Sequence, residues 1–498
     1  MRLTPLKLWL LIILSAVLQT FPFPLAGPVP VWRTAFAWIA LWPLLAALVG
    51  TNKLGEPLTL RQSATLGYLC GFLWYLSNCY WIYQTMYLYG GLAQPIAAGI
   101  LVLFCFYLGL YHALFGLLIG VLRRSRLGVQ GALLLSPFVW VAVELARARI
   151  TGFPWDLLGI TQIDNPILIH LAPITGAYGI SFVIAAINAL WLIRLRLRER
   201  RYTRTLLTLA GVVIVVGYLL LLHSVQTPNH IATQNTATLV QENLSVGAEA
   251  KGPYESPAQL ISSFSRLSIY PPADRCIGTP EMSSTKCLHF VSANPEGNRS
   301  PVPTDLIAWP ESPAGFRTDD PYLRDRLAAL ARSMGSPLII GSLGVVPDAT
   351  APRGVRVYDS AALVTADGKS AGRYDKIHLV PWGEYIPFKN LFFFANKLTA
   401  GVGDMDPGTV RTVFRTNGHA IGVFICYESI FGDEVRMFVK NGAEVLVNIS
   451  DDGWYGDTSA AWQHLNMVRM RAVENHRWIL RSTNTGVTAA IDPYGRVT

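Results

Sequence analysis

The chain has 498 residues, of which 51% are hydrophobic and 15% charged, and so apolar a composition excludes a single soluble domain. Residues 1–225 consist of long apolar runs separated by short basic loops, whereas residues 226–498 resemble an ordinary globular domain. The formal net charge of +9 does not indicate nucleic-acid binding, because the arginines cluster between apolar runs instead of lining one face of a folded domain. We therefore expect a membrane domain over 1–225 and an aqueous domain over 226–498.

Seven apolar segments of the first domain are long enough to span about 30 Å of hydrocarbon, which takes roughly 20 residues. They lie near 8–26, 31–50, 63–83, 92–122, 129–146, 166–193 and 205–224. With the N-terminus in the cytoplasm, most basic residues of this domain fall in cytoplasmic loops. The odd number of spans then places 226–498 on the outer side, which is the periplasm in a bacterium. Alternatively, residues 1–26 are a cleaved signal peptide, and six spans still leave the final domain outside.

The second domain alternates short β-rich runs with amphipathic helical patterns. The near-continuous apolar run over 422–425 is typical of a strand in a sheet covered on both faces, so we expect a layered α/β fold. Strands are predicted at Thr238–Gln241, Asp305–Trp309, Leu338–Ser342, Ser360–Thr365, Ile421–Ile425, Val445–Ile449 and Trp478–Ser482. Helices are predicted over 256–268, 321–334, 429–441 and 459–475.

Three polar residues stand where predicted strands or turns end, and their chemistries complement one another. Cys426 is a candidate nucleophile that must lose its proton, and Glu311 could accept that proton. A helix starting at Ser429 would favour the thiolate further through its positive end. Lys376 and the backbone N–H of Tyr427 could stabilise the oxyanion that forms when the thiolate attacks a carbonyl.

Each of these residues has a simpler interpretation when taken alone. A cysteine at a strand end is usually a small core residue. A glutamate after Trp309-Pro310 could cap a turn, and a lysine beside Asp375 is most often a solvated surface charge. Their joint occurrence within distinctive sequence strings favours catalysis.

Those strings are Trp309-Pro310-Glu311-Ser312, the stretch Tyr374–Pro387 with Lys376 and Glu384, and Ile425-Cys426-Tyr427-Glu428. Together they resemble the carbon–nitrogen hydrolase superfamily, and specifically its membrane branch, the apolipoprotein N-acyltransferases. Further similarity lies at Asn448–Gly456, Trp462-Gln463-His464, Arg469–Asn475, Arg481–Gly486, Gly152-Phe153-Pro154-Trp155 and Gly176-Ala177-Tyr178-Gly179. The resemblance covers nearly the whole chain.

The resemblance implies a nitrilase-like αββα sandwich joined to a multi-pass helical membrane domain in the bacterial inner membrane. It implies a two-step reaction in which Cys426 takes an acyl chain from a phospholipid, phosphatidylethanolamine, as a thioester. The α-amino group of the diacylglyceryl-cysteine of an apolipoprotein then receives the chain. Glu311 matches the general base, Lys376 the catalytic lysine and Glu384 a second essential carboxylate, while Tyr427 and Glu428 flank the nucleophile. No cofactor or metal is implied, and we expect a monomer.

A phenylalanine-rich segment follows Glu384 and contains Phe388, Phe392, Phe393 and Phe394. Because water would waste a thioester, we expect this segment to be a lid on the bilayer surface that shields the site. The alternative is that these side chains fill the domain core.

Several features depart from the family pattern or stay open. Asp451-Asp452 stands where the family usually has Asn-Asp, so we assign Asp451 no catalytic role, and a family tryptophan expected soon after Val240-Gln241 is missing. The family continues beyond Thr498 with more of the sheet and an eighth span, so we expect the sequence to be incomplete. Cys276 and Cys287 could form a disulfide or stay as free thiols, and with His289 they fall short of a structural zinc set.

Two other functions compete with acyl transfer. A membrane-anchored amidase of the nitrilase type would use the same three residues with water as the acceptor. A transporter or scaffold would use the spans alone, but apart from Glu144 those spans lack paired charges within the membrane. We rank the transporter below either enzyme.

Overall fold

The computed structural model describes residues 3–196, 235–246, 256–270, 304–311, 315–351, 353–385 and 405–498. The described residues form two compact units. The helical unit comprises those within 1–84, 93–230 and 458–474, and the sheet unit those within 85–92, 231–457 and 475–498. The predicted seventh span, the lid phenylalanines, Cys276, Cys287 and His289 lie outside the described residues.

In the described part of the helical unit, four helical stretches are long and apolar enough to cross a membrane. They are Val31–Leu48, Gln94–Arg124, Gly128–Thr151 and Leu168–Arg194. The predicted segments 8–26 and 63–83 correspond to two further helices, Pro5–Thr20 and Leu60–Asn78, the first of them only 16 residues long. Helix Ala460–Asn475 also belongs to this unit as far as residue 474.

At two breaks in the apolar helices, the released backbone N–H groups donate hydrogen bonds to polar side chains. The stretch Val31–Leu48 is divided into Val31–Thr34, Ala37–Ala40 and Trp42–Leu48, with Pro43 in the first turn of the last helix. The buried side chain of Asn188 accepts hydrogen bonds from the backbone N–H groups of Leu41 and Trp42, both at 2.9 Å. Backbone groups that a break releases inside an apolar environment need such partners, which explains a buried asparagine there.

The second break lies within helix Ala172–Arg196, at Gly176, whose φ of 65° is left-handed. The N–H of Ala177, released by that break, donates to the Glu474 carboxylate at 2.9 Å. Polar groups of helix Ala460–Asn475 therefore complete the backbone hydrogen bonding of an apolar helix within the same unit.

The sheet unit contains two five-stranded sheets. The first has the order β1-β2-β3-β4-β5, with β1 Ala237–Leu239, β2 Leu306–Ala308, β3 Leu338–Pro347, β4 Val355–Val364 and β5 Ser370–Asp375. The second has the order β10-β9-β8-β7-β6, with β6 Val413–Thr416, β7 His419–Ile425, β8 Val445–Ser450, β9 Ile479–Thr483 and β10 Ala489–Ile491. The pairs β1/β2, β2/β3, β7/β8 and β8/β9 are parallel, and the other pairs are antiparallel.

Helices Pro257–Ile269 and Pro321–Met334 bury their apolar faces with residues of the first sheet. Phe264 and Trp309 are fully buried with ring centroids 5.0 Å apart, and the indole of Trp309 donates to Ser268 at 2.9 Å. These layers, together with the apolar helices of the other unit, confirm the predicted fold class.

The predicted strands are present with shifted ends, while β5, β6 and β10 were not predicted. The helix predicted over 429–441 is interrupted: a 3₁₀ helix occupies Cys426–Ile430, and the α-helix Gly432–Lys440 starts only after Phe431. Phe431 is extended, with φ −94° and ψ 96°, and therefore separates the two helices. The prediction that a helix begins at Ser429 is wrong.

Candidate active site

Cys426 directly follows β7 and is the first residue of the 3₁₀ helix that turns the chain away from the sheet. Its φ of 46° is left-handed, which is uncommon for a residue with a side chain and is concentrated at functional sites. Only 6% of Cys426 is exposed. The strand and the turn together hold one thiol in a fixed, nearly enclosed position.

Lys376 directly follows β5 and is completely buried. Its Nζ lies 2.7 Å from Glu311 Oε1, 3.0 Å from Asp359 Oδ2 and 2.6 Å from Glu384 Oε1. An ammonium group has three protons to donate, and these three carboxylates accept all of them. The structure therefore brings together Glu311, Lys376 and Glu384, three residues that the sequence had singled out.

The remaining oxygens of the two predicted carboxylates are also bound. Glu311 Oε2 accepts from the backbone N–H of Asp451 at 2.9 Å, and Glu384 Oε2 accepts from that of Val380 at 3.0 Å. Asp451 thus reaches the site through its backbone, while its carboxylate accepts from Asn484 and from the N–H of Gly453. Both glutamates are held in one orientation.

Glu311, Glu384 and Asp359 place oxygens within 4.8 Å of one another, a spacing that could hold a metal ion. The Nζ of Lys376 occupies that position and supplies the positive charge itself. This arrangement fits a lysine-centred site better than a metal centre.

Burial and mutual charge set the protonation of these groups. Burial raises the pKa of Glu311 well above its ordinary value; the charge of Lys376 opposes that shift, and Asp359 adds to it. Burial lowers the pKa of Lys376, but the charges of Glu311, Glu384 and Asp359 outweigh it and raise that pKa overall. Lys376 therefore stays charged, and Glu311 is more basic than a solvated glutamate.

The environment of the Cys426 thiol favours its protonated form. Burial raises the pKa of Cys426 well above its ordinary value, the charge of Glu311 raises it further, and Lys376 and a hydrogen bond with Ser450 oppose the rise. The sequence predicts a local field that favours a thiolate, whereas the pKa of this thiol is shifted in the opposite direction. Glu311 interacts electrostatically with this thiol.

Glu428 holds the turn at Cys426 against the loop that carries Lys376. One of its oxygens accepts from the N–H of Ile377 at 2.7 Å and from the Tyr374 hydroxyl at 2.7 Å, and the other accepts from the N–H of Ile425 at 2.7 Å. Glu428 is completely buried. It therefore fixes the turn at Cys426 relative to the loop that carries Lys376.

Tyr427, the residue after Cys426, is buried and packs edge-on against Phe431, with ring centroids 5.5 Å apart. Phe388, Phe392, Phe393 and Phe394 belong to the segment outside the described residues, so the lid stays a prediction. Asp359 was missed by the sequence analysis. It directly precedes the strand predicted over Ser360–Thr365, and no distinctive string marks it.

Comparisons with known proteins agree in both halves of the chain. A family model described as the apolipoprotein N-acyltransferase N-terminal domain matches residues 5–190, and one described as carbon-nitrogen hydrolase matches residues 281–498. An apolipoprotein N-acyltransferase of Geobacter metallireducens is 34% identical over 99% of this chain and 87% of its own length. One of Methylococcus capsulatus is 33% identical over 99% of this chain and 87% of its own length.

A solved carbon–nitrogen hydrolase superfamily protein from Xanthomonas campestris aligns at 18% identity over 53% of this chain and 84% of that chain. Its TM-score of 0.34 is too low to add to the argument. The two sequence relatives, each matched over 99% of this chain, show that the chain belongs to the apolipoprotein N-acyltransferase family.

Proposed function

We propose that this protein transfers an acyl chain from a phospholipid, phosphatidylethanolamine, through a thioester on Cys426 to the α-amino group of the diacylglyceryl-cysteine of apolipoproteins. The observation that carries the proposal is the contact of Lys376 Nζ with Glu311 at 2.7 Å, together with the effect of both charges on Cys426, a buried cysteine with left-handed backbone. A nucleophile, a base and a fixed positive charge are the groups that acyl transfer needs.

In the first step, the sulfur of Cys426 attacks the ester carbonyl of the lipid while Glu311 takes the thiol proton. Lys376, together with the N–H of Tyr427, stabilises the oxyanion. The carbon–oxygen bond of the ester then breaks, the lysophospholipid leaves with the proton held by Glu311, and the acyl chain remains on sulfur.

In the second step, the free amine of the lipoprotein attacks the thioester carbonyl. Glu311 accepts a proton from the amine, the carbon–sulfur bond breaks, and that proton returns to the thiol. Atoms and charges balance over the two steps, and the protein ends as it began. Glu384 and Glu428 position the lysine and the turn throughout.

The proposal places the enzyme in the bacterial cytoplasmic membrane as a monomer with a cytoplasmic N-terminus. Residues 1–225 would form the membrane domain and residues 226–498 the periplasmic catalytic domain, where membrane lipids and diacylated lipoproteins meet. The phenylalanines at 388 and 392–394 would cover the thioester and exclude water.

The test uses the full chain in phosphatidylethanolamine vesicles with a synthetic diacylated lipopeptide, followed by mass spectrometry of lipids and peptide. We expect lysophospholipid and triacylated peptide in equal amounts, and neither product from Cys426→Ala. The matched control is Cys105→Ala, which alters another buried cysteine and keeps both products. Free fatty acid as the main product would instead favour the amidase-type reaction with water and overturn the proposal.

A further inference from the structure

A third carboxylate, that of Asp359, contacts Lys376 in addition to the two that the sequence indicated. Asp359 lies within β4 and is 2% exposed. Its backbone carbonyl accepts from the N–H of Lys376 at 2.8 Å, and its Oδ2 accepts from Nζ at 3.0 Å. The pairing of β4 with β5 therefore brings both the backbone carbonyl and the carboxylate of Asp359 into contact with Lys376.

The cluster contains one positive charge and three carboxylates, all of them buried. Like charges at such short range strengthen the hold of a carboxylate on a proton, whereas the ammonium weakens it. Lys376 alone would make Glu311 a weaker base, and Asp359 counteracts this through its charge.

A strong base is needed here because the thiol is buried and holds its proton tightly. The efficiency of proton transfer depends on how closely the base matches the acid. The charge of Glu384 also raises the pKa of Glu311. The second oxygen of Glu384 is held by the N–H of Val380. Among the residues that the structure describes, the other titratable groups that interact electrostatically with Glu311 are Lys376, Cys426 and Tyr455.

We infer that Asp359 is a positioning residue whose carboxylate offsets the charge of Lys376 at Glu311, so that Glu311 can deprotonate the buried thiol. It also provides the third acceptor that fixes the ammonium group. This inference rests on the proposed function for the role of Glu311, but its consequences for the thiol can be measured without any lipid substrate.

Asp359→Asn separates the two roles, since the amide oxygen still accepts from Lys376 while the negative charge is gone. The readout is the rate of alkylation of Cys426 by iodoacetamide as a function of pH, followed by mass spectrometry of the Cys426 peptide. Alkylation of Cys426 requires ionised Glu311, so its rate falls as the pH falls. Without the Asp359 charge Glu311 ionises more easily, so we expect the acidic limb to move to lower pH by about one unit.

The weaker base should also lower the plateau rate by roughly threefold in Asp359→Asn. Asp359→Ala removes the acceptor as well and should lower that plateau by roughly tenfold or more. The control is Asp367→Asn, which alters an exposed carboxylate paired with Lys369 and should leave the profile unmoved. If the alanine variant fails to fold, the asparagine variant alone decides the question.

An acidic limb in Asp359→Asn that coincides with that of the unaltered protein would overturn the inference and leave Asp359 a purely structural anchor. The proposed function fails by a different result, the absence of acyl transfer by the unaltered protein in vesicles. Alkylation at Cys426 then still reports on the role of Asp359, so the two failures are distinguishable.

Discussion

The two units both bury charged side chains, but they satisfy them in different ways. In the sheet unit, each proton of the Lys376 ammonium has a carboxylate acceptor. In the helical unit, Glu144, Arg147 and Asp156 are buried, yet Glu144 Oε2, Arg147 Nη1 and Asp156 Oδ1 have no hydrogen-bond partner among the described residues. One cluster is closed by protein groups alone, and the other is left partly open.

The open cluster lines a cavity of about 20 Å³. A buried water needs about 10–15 Å³ of such space and two to four polar partners, so the cavity has room for one water. Glu144 Oε1 is held by the N–H of Leu158 at 2.8 Å, and Asp156 Oδ2 by Asn78 at 2.7 Å. The comparison teaches that one buried cluster in this chain is closed entirely by charged partners, whereas another leaves room for water.

Lys376→Met tests the closed cluster most severely, because it leaves three buried carboxylates without a cation. Breaking a buried ion pair from one side costs about 3–5 kcal/mol, and we expect a loss of that size in the free energy of unfolding, together with loss of acyl transfer. The loss should shrink on acidification, since protonation neutralises the carboxylates. Denaturant unfolding of the purified protein at two pH values measures both effects, and a variant as stable as the unaltered protein would contradict the account.

Glu428→Gln should have the next largest effect. The amide replaces a carboxylate oxygen with a donor that faces backbone N–H groups at Ile425 or Ile377. An unsatisfied buried donor costs about 1–3 kcal/mol, and the turn at Cys426 loosens. We expect the acyl-transfer rate to fall by roughly tenfold to a hundredfold through displacement of the nucleophile. Rates equal to those of the unaltered protein would show that Glu428 does not position Cys426.

Arg147→Met alters the open cluster and should cost less than the lysine substitution. The Arg147 guanidinium lies 5.8 Å from the ring of Trp74 and 5.7 Å from that of Tyr75, and its neighbours reach the cavity, where water can compensate. We expect a loss of about 1–3 kcal/mol in the free energy of unfolding. The pH profile of Cys426 alkylation should not move. A loss as large as that of Lys376→Met would erase the distinction between the clusters.

Lys369→Ala should have the smallest effect. Lys369 pairs with Asp367 at 2.6 Å, but its side chain is 82% exposed. Exposed ion pairs are screened by water and salt and contribute little to stability. Neither the melting temperature nor the acyl-transfer rate should change measurably, and a clear loss would mean that exposed and buried charges count alike in this protein.

The elements that are buried along nearly their whole length were the easiest to predict from the sequence. The apolar run before Cys426 marked β7, whereas β5, with exposed Ser370 at its start, lacks such a run and was missed. Cys426 was predicted because it follows a strand within a distinctive string, and Lys376 because it lies in the distinctive stretch Tyr374–Pro387. Asp359 lies inside β4 with no such string, and its contact with Lys376 arises only when β4 pairs with β5.

The interrupted helix after Cys426 could not be predicted either, because the extended backbone of Phe431 depends on how that turn packs. Likewise, the hydrogen bond from the Asp451 backbone to Glu311 joins residues 140 positions apart and involves no side chain of Asp451. Side-chain identity in the sequence gives no indication of such a contact.

The most direct test of the central claim is the mass of the intact protein after incubation with phosphatidylethanolamine and no acceptor. The account predicts a gain equal to one acyl chain, located on the Cys426 peptide, labile to neutral hydroxylamine and discharged by a diacylated lipopeptide. An unmodified Cys426 in a preparation that still acylates the lipopeptide would contradict the thioester mechanism.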